Sequence, residues 1–192
     1  MIDRLRTTRA CGVRRLCLTL ACLALLGLVV VNPAGAGDGN RGPELTGDCA
    51  KLQVEAGNKV AYHTYASGVQ IYRWNGTAWA FVAPDAALFA DAGGQGVVGT
   101  HYAGPTWESN SGSKVVGAVE QRCTPDPTAI DWLRLKATSS EGPGIFDGIT
   151  FILRVNTTGG KAPATPGAVG DVARIPYTAE YYFYRASNNT AA

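Results

Sequence analysis

The dipeptide Asn75-Gly76 restricts the fold of this chain more than any other two residues. Both residues accept the positive φ that a type I′ turn demands, and that turn matches the twist of two antiparallel strands. Residues 60–74 (VAYHTYASGVQIYRW) lead into it, rich in aromatic and β-branched side chains, and Trp79-Ala80-Phe81-Val82 leads away. A hairpin is expected here, with Gly68 as a bend or bulge and Pro84 as the end of the second strand. Residues 96–103, 113–123, 131–138, 149–156 and 179–185 read as further strands, and 87–91 as a short one. Turn residues separate them every ~8–12 positions. Residues 125–130 (PDPTAI) suit a single helical turn at most, and no window sustains a helical period. About eight short strands predict an all-β single domain, either a β-sandwich or a β-barrel. The run Tyr181-Tyr182-Phe183-Tyr184 should lock into the core. Residues 158–171 (TGGKAPATPGAVGD) form a long Gly/Pro loop, expected to be the most mobile segment.

The first 36 residues follow a different grammar. Arg4, Arg6, Arg9, Arg14 and Arg15 precede an apolar run over 16–31, and Ala34-Gly35-Ala36 fits a small-x-small cleavage site. This is the three-part pattern of a secretory signal peptide. The apolar run is shorter than the roughly 20 residues of a spanning helix, so no stable membrane span is expected after cleavage. Arg14-Arg15 fits twin-arginine export as well as the general secretory route. The expected product is secreted or periplasmic. It has a flexible segment at 37–48, a β domain at 49–186 and a tail at 187–192.

Cleavage reverses the charge. The chain has 17 Lys+Arg and 15 Asp+Glu; the leader takes five Arg and Asp3, leaving 12 against 14, a net charge of −2. No basic cluster remains, which argues against nucleic acid as a partner. Cys11, Cys17 and Cys22 leave with the leader. Cys49 and Cys123 remain, an even pair that suggests one disulfide in an exported protein. Closing a loop of about 75 residues is worth about 4–5 kcal/mol in the chain-entropy model.

The chemistry concentrates in His101-Tyr102-Ala103-Gly104-Pro105-Thr106-Trp107-Glu108. His101, Tyr102, Trp107 and Glu108 are the candidate ligand contacts, joined by Trp74 and Trp79, because aromatic faces beside polar groups suit flat ligands. Glu108, Asp91 and His101 are the candidates for catalysis, since glycoside hydrolysis by retention needs two carboxyl groups about 5 Å apart. Ser109, Ser111 and Ser113 read as a loop, and no G-x-S-x-G elbow is present. The strings Gly37/Gly39/Gly42 and Gly94/Gly96/Gly99 lack the strand–turn–helix setting of a dinucleotide site. His63 and His101 are the only histidines, and their spacing does not suggest a metal site. No cofactor is expected. Asn75-Gly-Thr77, Asn156-Thr-Thr158 and Asn188-Asn-Thr190 match glycosylation sequons, relevant in a eukaryotic secretory pathway. The expected function is non-enzymatic binding of a ligand, a carbohydrate or a cell-envelope component. The alternatives are a secreted hydrolase of glycans using Glu108 and Asp91, and a purely structural surface protein.

Several runs resemble one family of exported proteins. They are Gly57-Asn58-Lys59-Val60-Ala61-Tyr62-His63, Gly68-Val69-Gln70-Ile71-Tyr72-Arg73-Trp74, the HYAGPTWE segment with Ser113-Lys114-Val115-Val116-Gly117, Glu141-Gly142-Pro143-Gly144, Arg154-Val155-Asn156-Thr157 with Gly159-Gly160, and Pro176-Tyr177-Thr178-Ala179-Glu180-Tyr181-Tyr182-Phe183-Tyr184. In order and spacing they are similar to the DUF3455 family of bacteria and fungi, over about residues 50–185. The resemblance implies a β-rich secreted domain. It implies no established activity, so no catalytic residues carry over. Some relatives bear enzyme names such as malate dehydrogenase, which a chain without a dinucleotide fold does not fit.

Overall fold

The computed structural model describes residues 41–187. The leader at 1–36, the start of the 37–48 segment and the end of the tail lie outside the described residues. A short 3-10 turn, Gly47–Leu52, precedes eight strands. These are β1 (Asn58–Trp74), β2 (Trp79–Phe89), β3 (Val97–Tyr102), β4 (Thr106–Ser109), β5 (Lys114–Cys123), β6 (Trp132–Glu141), β7 (Ile149–Gly159) and β8 (Val172–Ala186). Each strand pairs antiparallel with its neighbour in sequence, and β8 returns to β1, so the sheet closes into a barrel. The β1–β8 ladder runs from Asn58↔Ala186 to Arg73↔Val172 and is the seam that closes it. Closure removes the free edges that a sandwich leaves.

Pro84 does not end the second strand. It lies inside β2 opposite Gln70, and the expected short strand at 87–91 is the continuation of β2. The missing N–H is tolerated because β3 pairs with β2 only over Ala86–Phe89. Gly68 is not a bulge either: the β1–β2 register shifts at Ile71/Tyr72 instead. A Cβ on Gly68 would lie 2.2 Å from the Asp85 carbonyl oxygen, so close approach of β1 and β2 requires glycine there. β4, only four residues long, falls in a stretch read partly as loop. Residues 125–130 form no helix; Asp126 Oδ1 accepts from the Thr128 N–H and hydroxyl and makes a turn. The long loop over 160–171 is tied down. Gly170 N donates to the Trp74 carbonyl, Trp74 N to the Asp171 carbonyl, and Trp79 Nε1 to the Thr165 carbonyl.

Alternation along the strands builds two apolar layers. Inside the barrel, Trp107, Tyr181, Phe183, Leu88, Leu135 and Ile152 join Phe146 in one cluster. Outside it, Leu153, Val155, Tyr182 and Tyr184 pack with Cys49, Leu52 and Val54 in another. The Tyr181–Tyr184 run is unbroken for this reason: odd positions fill the barrel, and even positions lie under the N-terminal 3-10 turn. A Cys49–Cys123 disulfide fastens that turn to β5.

The interior is filled at one end. Phe146, from the β6–β7 loop, packs on Phe183 at 4.6 Å and meets Tyr62 edge-on at 6.3 Å. The Ser113 hydroxyl accepts from Phe146 N, and Ser140 Oγ donates to the Phe146 carbonyl. The opposite end carries the 75–78 hairpin turn, the 103–105 turn and the loops at 124–131 and 160–171. It is the end that opens.

Candidate functional site

A cavity of about 380 Å³ occupies the open end, between the β1–β2 hairpin and the loops after β5 and β7. Its floor is a ring stack. His101 and Trp107 are cross-strand partners on β3 and β4, so both side chains enter the barrel. Their rings stack at 4.3 Å with 7° between planes, and Tyr181 meets both edge-on at 5.2 and 5.3 Å. Tyr72 and Phe81, partners on β1 and β2, form one wall; Leu133 and Leu135 of β6 form another. Tyr72 is fixed by donating its hydroxyl to the Gly160 carbonyl at 2.6 Å.

Polar groups break this apolar lining. Gln70 and Arg154 sit at inward positions of otherwise apolar runs, Val-Gln-Ile and Ile-Leu-Arg-Val. Arg154 Nε and Nη2 both donate to the Asp131 carbonyl, at 3.1 and 2.9 Å, which folds the 124–131 loop over the mouth. Among the described residues no carboxylate forms an ion pair with Arg154. Gln70 Nε2, Trp107 Nε1 and the Tyr181 hydroxyl are buried without a hydrogen-bond partner. Tyr177 and Arg154 are the hydrogen-bonding neighbours of the Tyr181 hydroxyl, but neither bond is fully formed. A buried polar group without a partner costs about 1–3 kcal/mol, so three on one cavity lining demand a reason.

His101 is neutral. Its Nδ1–H donates to the Thr106 carbonyl at 2.8 Å. Burial lowers its pKa from 6.5 to about 3, the Thr106 bond opposing this and Arg154 adding to it. A carbonyl only accepts, so the proton sits on Nδ1 and Nε2 keeps its lone pair. Burial raises the pKa of Tyr181 and Tyr72, which keeps both hydroxyls protonated as donors.

The family model described as a protein of unknown function, DUF3455, matches residues 55–185. The chain belongs to this family. No curated protein and no solved structure matches it. All the residues that line the cavity of this DUF3455 domain fall within the matched span, so the site is part of the family's domain rather than an addition to it.

The sequence candidates separate cleanly in the DUF3455 barrel. His101 and Trp107 reach the cavity. Tyr102 and Glu108, on the opposite parity of the same hairpin, do not: the Tyr102 hydroxyl donates to Glu108 Oε2 on the outer surface, and Lys114 Nζ lies 3.4 Å from that oxygen. The Tyr102 bond, then Lys114, holds the Glu108 carboxyl below its ordinary pKa. Asp91 lies in the β2–β3 turn at the filled end, where its Oδ1 accepts from Gly93 N and Gln95 N. The expected acid–base pair of Glu108 and Asp91 therefore does not meet. Trp74 and Trp79 pair at 5.6 Å one rung beyond Tyr72 and Phe81, where they anchor the 160–171 loop and do not line the cavity. His63 is on the outer face, stacked on Tyr182 at 4.0 Å and bonded to Glu180 at 2.9 Å. The one carboxylate lining the cavity, Asp131, is 3.5 Å from Arg122 and accepts from Thr124 Oγ1. Among the described residues no three His, Cys, Asp or Glu side chains converge as a metal site would need. No helix among them is long and apolar enough to cross a membrane.

Sequence reasoning missed Gln70, Arg154 and Tyr181. The usable signal was a polar residue at an inward position of an apolar strand, as in ILRV.

Proposed function

We propose that this domain is an exported binding protein that holds one small, ring-bearing molecule in the mouth of its barrel. The observation that carries the reading is the cavity of about 380 Å³ with aromatic walls and three lining residues whose buried polar atoms lack partners. Small-molecule sites have this composition: mostly apolar, about 300–1,000 Å³, with a few placed polar groups. An eight-stranded barrel is wide enough for one such ligand. Binding without catalysis is favoured because the two groups a hydrolase would need stand at opposite ends or faces of the barrel. Export is supported by the leader-like pattern at 1–36 and by the Cys49–Cys123 bridge, which suits an oxidising compartment.

The test is enrichment. The purified domain is incubated with a mixed small-molecule extract, washed by buffer exchange and denatured, and the released compounds are identified by mass spectrometry. The comparison is Leu135→Trp, which fills the cavity from its wall, with circular dichroism to confirm folding. The reading expects compounds enriched by the native domain and absent from the filled variant. No enrichment, or equal enrichment by both, refutes it.

A further inference from the structure

We infer that the ligand is an organic anion, a carboxylate on a flat apolar body, with its charge on Arg154. This rests on the barrel mouth being a ligand site and specifies what that site selects. The first ground is charge. The cavity lining holds Arg122, Arg154 and Lys161 against Asp131 alone, a net charge of 3 − 1 = +2. Residues 37–192 have 12 basic and 14 acidic residues, so the domain as a whole is net negative. Positive charge is gathered at a concavity that also has aromatic walls, and such focusing attracts anions.

The second ground is pairing. Arg122 and Asp131 face each other at 3.5 Å and largely cancel. Arg154 has no such partner. Two of its five N–H groups are used, both on one carbonyl oxygen, and the guanidinium retains donors in a planar fork suited to a carboxylate. It stands beside the Tyr181 hydroxyl and the His101–Trp107 stack, so an acid held there lays its body on aromatic surface. Neutral His101 adds no competing positive charge. The half-buried position of Arg154 also matters: a charge with no counter-ion in a partly desolvated mouth is unfavourable until an anion arrives.

The experiment compares matched pairs by calorimetry: 2-naphthoate against 2-naphthamide, and cinnamate against cinnamamide. The native domain is expected to bind each acid at least tenfold more tightly than its amide. Arg154→Gln should bring each pair within twofold. Arg154→Lys should keep a preference for the acid, which separates loss of charge from loss of the loop contact. Amides binding as well as acids would overturn the anion inference and leave the ligand site standing. So would a preference that survives Arg154→Gln. Failure of every acid and amide to bind would count against the ligand site itself.

Discussion

The two ends of the barrel interior use the same kinds of side chain to opposite effect. At the filled end, Phe146 and Phe183 are fully buried against each other, and Phe146 meets Tyr62 edge-on. At the mouth, Trp107 and Tyr181 are just as deeply buried, yet each keeps a polar atom without a partner, and Arg154 stands beside them. A stretch of core selected for stability alone would be apolar and fully satisfied. Burial therefore does not separate packing from function in this molecule. Unmet hydrogen-bond capacity beside an open cavity does, since Thr64 Oγ1 and the Tyr177 hydroxyl are also buried without partners but line no cavity mouth.

That contrast is open to attack by substitution. The largest effect belongs to the filled end: Phe183→Ala should cost about 3–5 kcal/mol in urea unfolding, because the site cannot collapse around the void. A loss under 1 kcal/mol would mean this end is not the stabilising half. Replacing Cys49 and Cys123 with serine should cost about 2–5 kcal/mol, read in the same assay.

Acid provides the third test. The folded pKa of His101 is lowered from 6.5 to about 3, so between those values the unfolded chain takes a proton that the folded chain refuses. Its contribution to stability is complete above 6.5 and is lost as the pH falls toward 3. Between about pH 5 and 6 the native domain should lose up to about 1.4 kcal/mol per unit more than His101→Phe does. Equal slopes would show that His101 is not held neutral by the barrel. The smallest effect should have the unusual sign. Tyr181→Phe removes a hydroxyl without a partner and should raise stability by about 1 kcal/mol while weakening binding. A destabilised variant with unchanged binding would make that hydroxyl part of the core.

The strands were legible because alternation and turn chemistry are local. Asn75-Gly76 and residues 60–74 mark the hairpin from four or five residues at a time, but not its turn type. The loop is 75–78, only Gly76 in it takes positive φ, and Asn75 Oδ1 accepts from Thr77 N and Ala78 N in place of a type I′ turn. Barrel closure was not legible, because it rests on β1 pairing with β8 across more than a hundred residues. Pro84 misled because a missing N–H matters only where a neighbouring strand needs it. The HYAGPTWE segment was legible as a site but not as two faces. Once β3 and β4 pair as His101↔Trp107, parity sends those two inward and sends Tyr102 and Glu108 out. Asp91 looked catalytic in a list of acids and is a turn cap in space. Arg154 needed only strand parity to be noticed, since an arginine between Leu153 and Val155 on a strand must face away from both.

The central claim is that a small molecule enters the mouth and reaches the free donors of its floor. The direct measurement is the indole N–H region of a ¹⁵N-labelled sample titrated with 2-naphthoate. The chain has four tryptophans, and Trp107→Phe assigns the resonance that matters. The account predicts a large shift of the Trp107 Nε1–H signal, with Trp74, Trp79 and Trp132 little changed. Shifts at Trp74 and Trp79 with a silent Trp107 would contradict it, placing the ligand on the hairpin surface rather than inside the barrel.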